Sequence, residues 1–152
     1  MLTSSEAVMP QGVEQHDPYL AIQVVMMPRD TSPHGTIFGG VLMSYIDQAG
    51  AIGAIREVVK AGGPIPKVVT VAINKVEFHR PVLVGDVVRF LARMVRMGRT
   101  SITMHVQVED DRAGQVLQVT EAEVVYVGVD LTTPERRPTP LLPHRPGEPR
   151  PK

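Results

Sequence analysis

The residues of this chain best suited to chemistry are the pair Gly39-Gly40 and one carboxylate, Asp47, which follow a polar, turn-forming segment at 27–37. Unpaired backbone N–H groups at a helix start can receive the negative charge that develops on a carbonyl oxygen under attack, and glycine lets the backbone approach that oxygen. A carboxylate can act as the general base for an attacking water or as a nucleophile. The sequence does not separate these two roles.

The spacing of Gly40 and Asp47 prevents them from acting on one carbon from the same helix. Seven residues of helix correspond to about 10.5 Å of rise, whereas a base and the oxyanion donors must converge on the reacting carbon. We therefore predict a site shared between two subunits, in which the helix start of one faces Asp47 of the other. Dimerisation would then be a condition for activity.

The same residues also have purely structural interpretations. A glycine pair taken alone is better explained by close packing of a helix start. Asp47 could be a buried acid bonded to Ser44, Tyr45 or a neighbouring strand. If it is buried in an apolar helix, its pKa should be raised.

The element that must position these groups is the one long helical candidate, Phe38 to Ile55. It contains no proline, and its apolar residues recur at helical intervals with small residues between them. We expect a helix that is apolar nearly all round and therefore lies inside the fold. A Gly- and Pro-rich stop follows at 61–66.

Strand candidates lie on both sides of this helix. One precedes it and four follow it, at Tyr19–Met27, Val68–His79, Asp86–Met97, Ser101–Val108 and Val116–Val129. The apolar parity of the second candidate switches at Asn74-Lys75, which suggests a β-bulge. A turn at 110–114 predicts a hairpin between the last two. This order predicts an α+β fold in which an antiparallel sheet wraps one central helix.

Bulk composition limits the classes of function. The 152 residues fit one domain, here 18–130, with a loose N-terminal arm at 1–17 and a C-terminal tail at 131–152 that holds seven of the fourteen prolines. Sixteen basic and sixteen acidic residues cancel, which gives no support for a nucleic-acid or membrane-surface binder. The chain has no cysteine, and we expect a cytoplasmic protein with no targeting or membrane segment. Its histidines show no metal-ligand spacing, so no metal site is expected.

An ordered set of motifs carries a family resemblance. Met27-Pro28-x-Asp30-Thr31 and Gly35-x-Ile37-Phe38-Gly39-Gly40 precede Met43-Ser44-x-x-Asp47, and further matches lie at Val69–Ala72, Phe78–Val88 and Gly98–Ser101. This set resembles the acyl-CoA thioesterases of the hotdog superfamily, specifically the YciA-type branch, over roughly 19–129.

The resemblance implies a hotdog fold in dimers whose sheets join edge to edge, often assembled further into hexamers as trimers of dimers. It implies hydrolysis of an acyl-CoA thioester to the free carboxylic acid and coenzyme A, without a metal or other cofactor. By position, Asp47 matches the family's catalytic carboxylate and Gly40 belongs to its helix start. Ser32 takes the place of a motif Asn and with it a catalytic role in orienting the reacting water or carbonyl, although a hydroxyl is shorter than a carboxamide and offers fewer donors. His34 replaces the usual Asn before the motif glycine.

The resemblance also implies a binding surface for coenzyme A and the acyl group, formed by His34, Phe38, Gly39, Phe78, Arg99 and Ser101. Four other arginines, Arg80, Arg89, Arg93 and Arg96, are better explained as solvated strand edges. A non-catalytic acyl-CoA sensor or carrier on the same fold remains an alternative. A hydratase is disfavoured because no Asp–His pair lies near Asp47, and Ser32 lacks the Gly-x-Ser-x-Gly context of a serine nucleophile.

Overall fold

The computed structural model describes residues 17–144, 146–147 and 149. Nearly all of the expected N-terminal arm, with His16, lies outside the described residues. The elements are β1 (Tyr19–Val25), a short 3-10 turn (Pro28–Asp30), α1 (Gly39–Lys60), β2 (Val68–Asn74), β3 (Val87–Met97), β4 (Ser101–Arg112) and β5 (Gln115–Gly128). No helix among these residues has the length and apolar character needed to cross a membrane.

The five strands form one antiparallel sheet in the order β1-β3-β4-β5-β2. β2 follows the helix in the chain and lies at one edge of the sheet, where it pairs with β5 and not with β3. The connection 75–86 therefore crosses the end of the sheet to reach β3. The helix packs across one face. This is the expected α+β arrangement of one long helix against an antiparallel sheet.

β4 shows how the sequence pattern builds the core. Ile102, Met104, Val106 and Val108 alternate with more polar residues and are fully buried beneath the helix, as predicted. β4 continues to Arg112, four residues beyond its predicted end, because the turn that follows is confined to Ala113-Gly114. Both turn residues have positive φ (49° and 88°), the geometry that tight hairpins require.

The helix is longer and less enclosed than expected. It ends at Lys60 instead of Ile55, and only one face packs on the sheet, so the expectation of a helix wrapped on all sides is wrong for the single subunit. The buried face is made of Leu42, Ile46, Ala49, Gly50, Gly53, Ala54 and Val58. Met43, Ile52 and Val59 lie outside this buried face and are more than one-third exposed.

β2 also differs from its predicted form. It ends at Asn74, and Lys75 adopts a left-handed conformation (φ 56°), so the parity switch at 74–75 marks the strand end and not a bulge. The bulge lies earlier, between Thr70 and Ala72. It allows Val68 and Ile73 to pack against the same core although their spacing would place them on opposite faces of a regular strand.

The described part of the tail begins with turns at 131–135 and is held by its own subunit. Thr139 N–H donates to the Gly128 carbonyl (2.8 Å) and Leu141 N–H to the Arg99 carbonyl (3.0 Å). The Leu141 side chain is buried against Gly128, where a Cβ would lie 2.8 Å from it. The Leu141 main-chain carbonyl lies against Gly63, where a Cβ would be 2.6 Å away. The tail thus covers the C-terminal end of α1.

Candidate functional site

The start of α1 presents two unused backbone donors. Phe38 is the N-cap residue (φ −57°, ψ 134°), and its side chain cannot cap the helix. Its own N–H donates to the Asp30 carbonyl (3.0 Å), and its carbonyl accepts from Val41 N–H (3.1 Å). Within the described part of the chain, the N–H groups of Gly39 and Gly40 have no acceptor. They stand at the positive end of the helix dipole, ready for an anionic oxygen.

The segment before the helix is a closed turn that holds Ser32 and His34. Ser32 N–H donates to the Thr36 carbonyl (2.7 Å), and the Ser32 hydroxyl accepts from His34 N–H and contacts Thr36 Oγ1, both at 3.3 Å. No hydrogen bond joins either side chain to Asp47 among the residues that the structure describes. Within one subunit, both residues shape the turn, and the structure does not bring them to the carboxylate.

Asp47 lies two turns inside the helix and is half-buried. Its Oδ1 accepts a hydrogen bond of 2.6 Å from the hydroxyl of Thr70 on the edge strand β2. The bond to a neighbouring strand matches the structural interpretation, but the partial exposure does not match the expected burial. One carboxylate oxygen is therefore anchored while the group remains at the subunit surface.

Thr70 and Tyr126 are two residues near Asp47 that sequence reasoning missed. They are cross-strand partners on β2 and β5, and the Tyr126 hydroxyl donates to the main-chain carbonyl of Asp47 at 2.5 Å. No local motif marks either residue, because their meeting depends on the register of two distant strands. Val69–Ala72 matched the resemblance, but nothing in the sequence distinguished Thr70 within it.

A cavity of about 290 Å³ lies beside the helix start. It is lined by Thr36, Ile37, Gly39, Leu42, Phe78, His79, Arg80 and Pro81. Phe78 packs so closely over Gly39 that a Cβ there would lie 3.3 Å from its ring. This contact places the predicted binding residue Phe78 next to the free amides.

The predicted cations for coenzyme A are distributed differently from the expectation. Arg80, interpreted from sequence as a solvated edge, lines the cavity at the helix start. Arg99 is exposed in the β3–β4 turn, and Ser101 opens β4 with its carbonyl accepting from Gly98 N–H (2.8 Å). Ile102, the residue after Ser101, is the cross-strand partner of Tyr126, which contacts Asp47. The turn with Arg99 and Ser101 therefore lies on the far side of Asp47 from the cavity. The structure thus does not unite the predicted binding residues within one subunit.

An ionic cluster of Arg112, Asp86 and Asp110 contacts Pro81 in the cavity wall; Asp110 is fully buried, whereas the Arg112 side chain is 35% exposed. Arg112 donates from Nε and Nη2 to Asp86 (3.2 and 3.1 Å), donates from Nη2 to the Pro81 carbonyl (2.9 Å), and lies 3.2 Å from Asp110. Burial, followed by the hydrogen bond and charge of Asp86, raises the pKa of Asp110 to about 7. Burial acts to raise the pKa of Asp86 too, but hydrogen bonds from Asp110, the Leu83 N–H and Arg112 outweigh it and lower that pKa.

This cluster should make the protein less stable as the pH rises from 6 to 8. Asp110 binds its proton more tightly in the folded protein than in the unfolded chain, so its stabilising contribution is full below about pH 4 and is lost as the pH passes through about 7. Asp110→Asn cannot ionise and should raise the free energy of unfolding at pH 8 by about 1 kcal/mol. Urea unfolding at pH 6 and pH 8 measures this. A wild-type stability that stays flat across the interval would contradict it.

No three His, Asp or Glu side chains converge as metal ligands anywhere in the described residues. The chemistry-bearing groups of the site are thus two backbone amides, one carboxylate and the hydroxyls that hold it. Their separation along α1 leaves the two halves of the site apart in one subunit, as the spacing predicted.

Comparison with known proteins gives the family context. A family model described as the thioesterase superfamily matches residues 34–117, from the turn before α1 into β5. An acyl-CoA thioester hydrolase YciA of Salmonella typhimurium is 42% identical over 127 residues, which cover 80% of this chain and 89% of the relative.

Solved structures share the fold. A hexameric thioesterase from Yersinia pestis is 38% identical with a TM-score of 0.71, and the match covers 90% of this chain and all of that one (100%). A hexameric hotdog fold thioesterase of Campylobacter jejuni is also 38% identical, with a TM-score of 0.69 over 80% of this chain and 89% of that one. These likenesses confirm the expected hotdog fold.

Proposed function

The chain belongs to the thioesterase superfamily, and from this premise we propose that it hydrolyses acyl-CoA thioesters at a site built from Asp47 of one subunit and the helix start of another. The activity is that of an acyl-CoA thioester hydrolase, as in the YciA enzymes that it resembles over most of its length. The substrate is an acyl-CoA, and the products are a carboxylic acid and coenzyme A.

The observation that carries the shared site is the state of α1 in one subunit. The amides of Gly39 and Gly40 at the start of the helix are unpaired within the described residues. Asp47, held by Thr70 but half-exposed, lies about 10.5 Å from them along the helix axis. Neither half can act on a carbonyl alone. A second copy is the simplest source of the missing half.

Two-fold symmetry supports this arrangement. β2 has a free edge, and Thr70, which holds Asp47, belongs to it. If two copies pair antiparallel along this edge, their helices run side by side in opposite directions, so the start of each lies near the middle of the other. Exposed Val71 on β2 and Met43 on α1 would be covered by the same contact. We propose a homodimer of this kind, assembled further into a hexamer as in the structural relatives.

The proposed step balances without a metal. Water attacks the thioester carbonyl carbon while its proton passes to the Asp47 carboxylate. The carbonyl oxygen becomes negative and is received by the free amides of Gly39 and Gly40. The tetrahedral intermediate then collapses, the carbon–sulfur bond breaks, and the coenzyme A thiolate takes up the proton held by Asp47, which restores the carboxylate.

Substrate contacts follow from the same assembly. Phe78 and Arg80 line the cavity beside the free amides. Phe38 and His34 belong to the segment that leads into the helix start. Arg99 and Ser101 lie in the turn beyond the Asp47 end, where a guanidinium and a hydroxyl can meet the phosphates of coenzyme A. Because acyl-CoAs are generated and consumed in the cytoplasm, we assign the protein to that compartment.

The activity is tested by incubating the purified protein with acyl-CoAs of graded chain length and recording free coenzyme A with a thiol reagent. We expect turnover before and after treatment with a chelator. Tight binding of acyl-CoA without any release of thiol would instead support a sensor or carrier and would overturn the proposed enzyme.

A further inference from the structure

Tyr126 makes a contact with α1 that the hydrolysis step does not itself use. Its ring and hydroxyl are 1% exposed, and the hydroxyl donates to the main-chain carbonyl of Asp47 (2.5 Å). In a regular helix, that carbonyl also accepts a hydrogen bond from the N–H group four residues later in the chain. The tyrosine bond is therefore an additional tie between β5 and this turn of the helix.

Gly50 completes the contact from the helix side. A Cβ at residue 50 would lie 2.2 Å from the Tyr126 hydroxyl oxygen and 3.0 Å from ring carbon Cζ. The absence of a side chain there creates a notch in the helix surface, and the tyrosine fills it. A filled notch fixes both how far the helix slides along the sheet and how it is rotated.

The neighbouring strand makes the second tie to the same residue. Thr70 is the cross-strand partner of Tyr126, and its hydroxyl donates to Asp47 Oδ1 (2.6 Å). One hydroxyl thus holds the main chain of Asp47 and the other holds its carboxylate. Burial, followed by the charge and hydrogen bond of Asp47, raises the pKa of Tyr126, so the phenol stays protonated and remains a donor.

We propose that Tyr126, seated in the notch at Gly50, is a positioning residue that sets the place of the Asp47 carboxylate relative to the substrate carbonyl. The inference rests on the proposed role of Asp47. It concerns orientation and not binding, so it predicts an effect on kcat with little effect on KM. Displacing a reacting group by a fraction of an ångström lowers a rate by about tenfold, and by 1 Å about 100-fold.

The test is steady-state hydrolysis of an acyl-CoA by Tyr126→Phe, which removes only the hydroxyl. We expect kcat to fall about tenfold, with KM within about twofold of wild type. Val106→Ala is the matched control, since it opens a cavity in the same core on β4 without touching Asp47. It should lower the melting temperature at least as much while keeping kcat near wild type. If Tyr126→Phe keeps wild-type kcat, or if Val106→Ala loses as much kcat, the inference is overturned.

Gly50→Ala tests the same contact from the helix side. The added methyl group collides with the Tyr126 hydroxyl first, so Gly50→Ala should lower kcat more than Tyr126→Phe does. In the double variant Gly50→Ala with Tyr126→Phe, the hydroxyl oxygen is gone, and the nearest ring atom to the new methyl group is Cζ at 3.0 Å. The double variant should therefore be more active than Gly50→Ala alone, a non-additivity that independent sites do not show. Additive losses would count against the contact.

The two proposals fail in different ways. Full activity of Asp47→Asn would overturn the proposed catalytic site whatever Tyr126→Phe does. Loss of activity in Asp47→Asn together with wild-type kcat in Tyr126→Phe would leave the catalytic site standing and overturn only the positioning role.

Discussion

Replacing Asp47 with asparagine is expected to lower kcat for acyl-CoA hydrolysis by about 1,000-fold, with KM changed by less than about threefold. Asparagine has nearly the same shape, and its side-chain oxygen can still accept the hydrogen bond from Thr70. It cannot accept a proton from water. The variant therefore removes the base and keeps the local fold. Steady-state assays of both proteins, with melting temperatures measured in parallel, provide the comparison.

Glu57→Gln is a suitable control because it removes a carboxylate from the same helix. Glu57 pairs with Lys60 at 3.7 Å, ten residues away from the proposed base. It should retain wild-type kcat. An Asp47→Asn variant that remains within tenfold of wild type would contradict the catalytic role.

A single turnover in water enriched in heavy oxygen separates the two roles open to Asp47. Direct attack of activated water places the label in the carboxylic acid product. If Asp47 were a nucleophile forming an anhydride that opens at the enzyme carbonyl, the first product would be unlabelled. We expect labelled product.

Gly40→Ala should stabilise the protein and at the same time inactivate it. A Cβ at residue 40 meets no atom within 4 Å in the subunit, and alanine favours helix over glycine by about 0.5–1 kcal/mol. The methyl group would, however, stand where the thioester oxygen approaches the free amides. Loss of an oxyanion contact typically costs about 100-fold in kcat.

The opposite signs of these two effects distinguish function from structure. Thermal unfolding should give a melting temperature at or above that of wild type, and the thiol-release assay should give a kcat about 100-fold lower. If residue 40 served only close packing of the helix start, the substitution would leave hydrolysis unchanged. Wild-type turnover in Gly40→Ala would therefore place the carbonyl oxygen elsewhere.

Local periodicity was sufficient to predict the elements of this fold. The apolar residues recur at helical intervals in α1 and alternate with polar residues in β4. Each pattern depends only on residues close together in sequence and indicates one secondary structure. The bulge in β2 was placed four residues too late because the apolar parity allows more than one break. Only the pairing of Thr70 with Tyr126, set by β5, decides between them.

The candidate site was predictable in part for the same reason. Gly39, Gly40 and Asp47 lie on one helix, so their spacing alone showed that they cannot meet within a subunit. Thr70 and Tyr126 act through contacts between elements far apart in sequence, which no local pattern reveals. The exposed apolar face of α1 was interpreted as buried because a sequence does not distinguish a face covered by its own sheet from one left for a second copy.

Complementation between two inactive variants tests the shared site most directly. Asp47→Asn and Gly40→Ala chains, each with a different affinity tag, can be co-expressed and the particles that carry both tags purified. In a mixed dimer, one site combines the intact Asp47 of one chain with the intact helix start of the other. In a doubly tagged hexamer of three randomly paired dimers, about half of the dimers are mixed, each with one working site of two, so activity should return to about a quarter of wild type. A doubly tagged free dimer should return about half. Activity no higher than that of the separate variants would contradict a site formed between subunits.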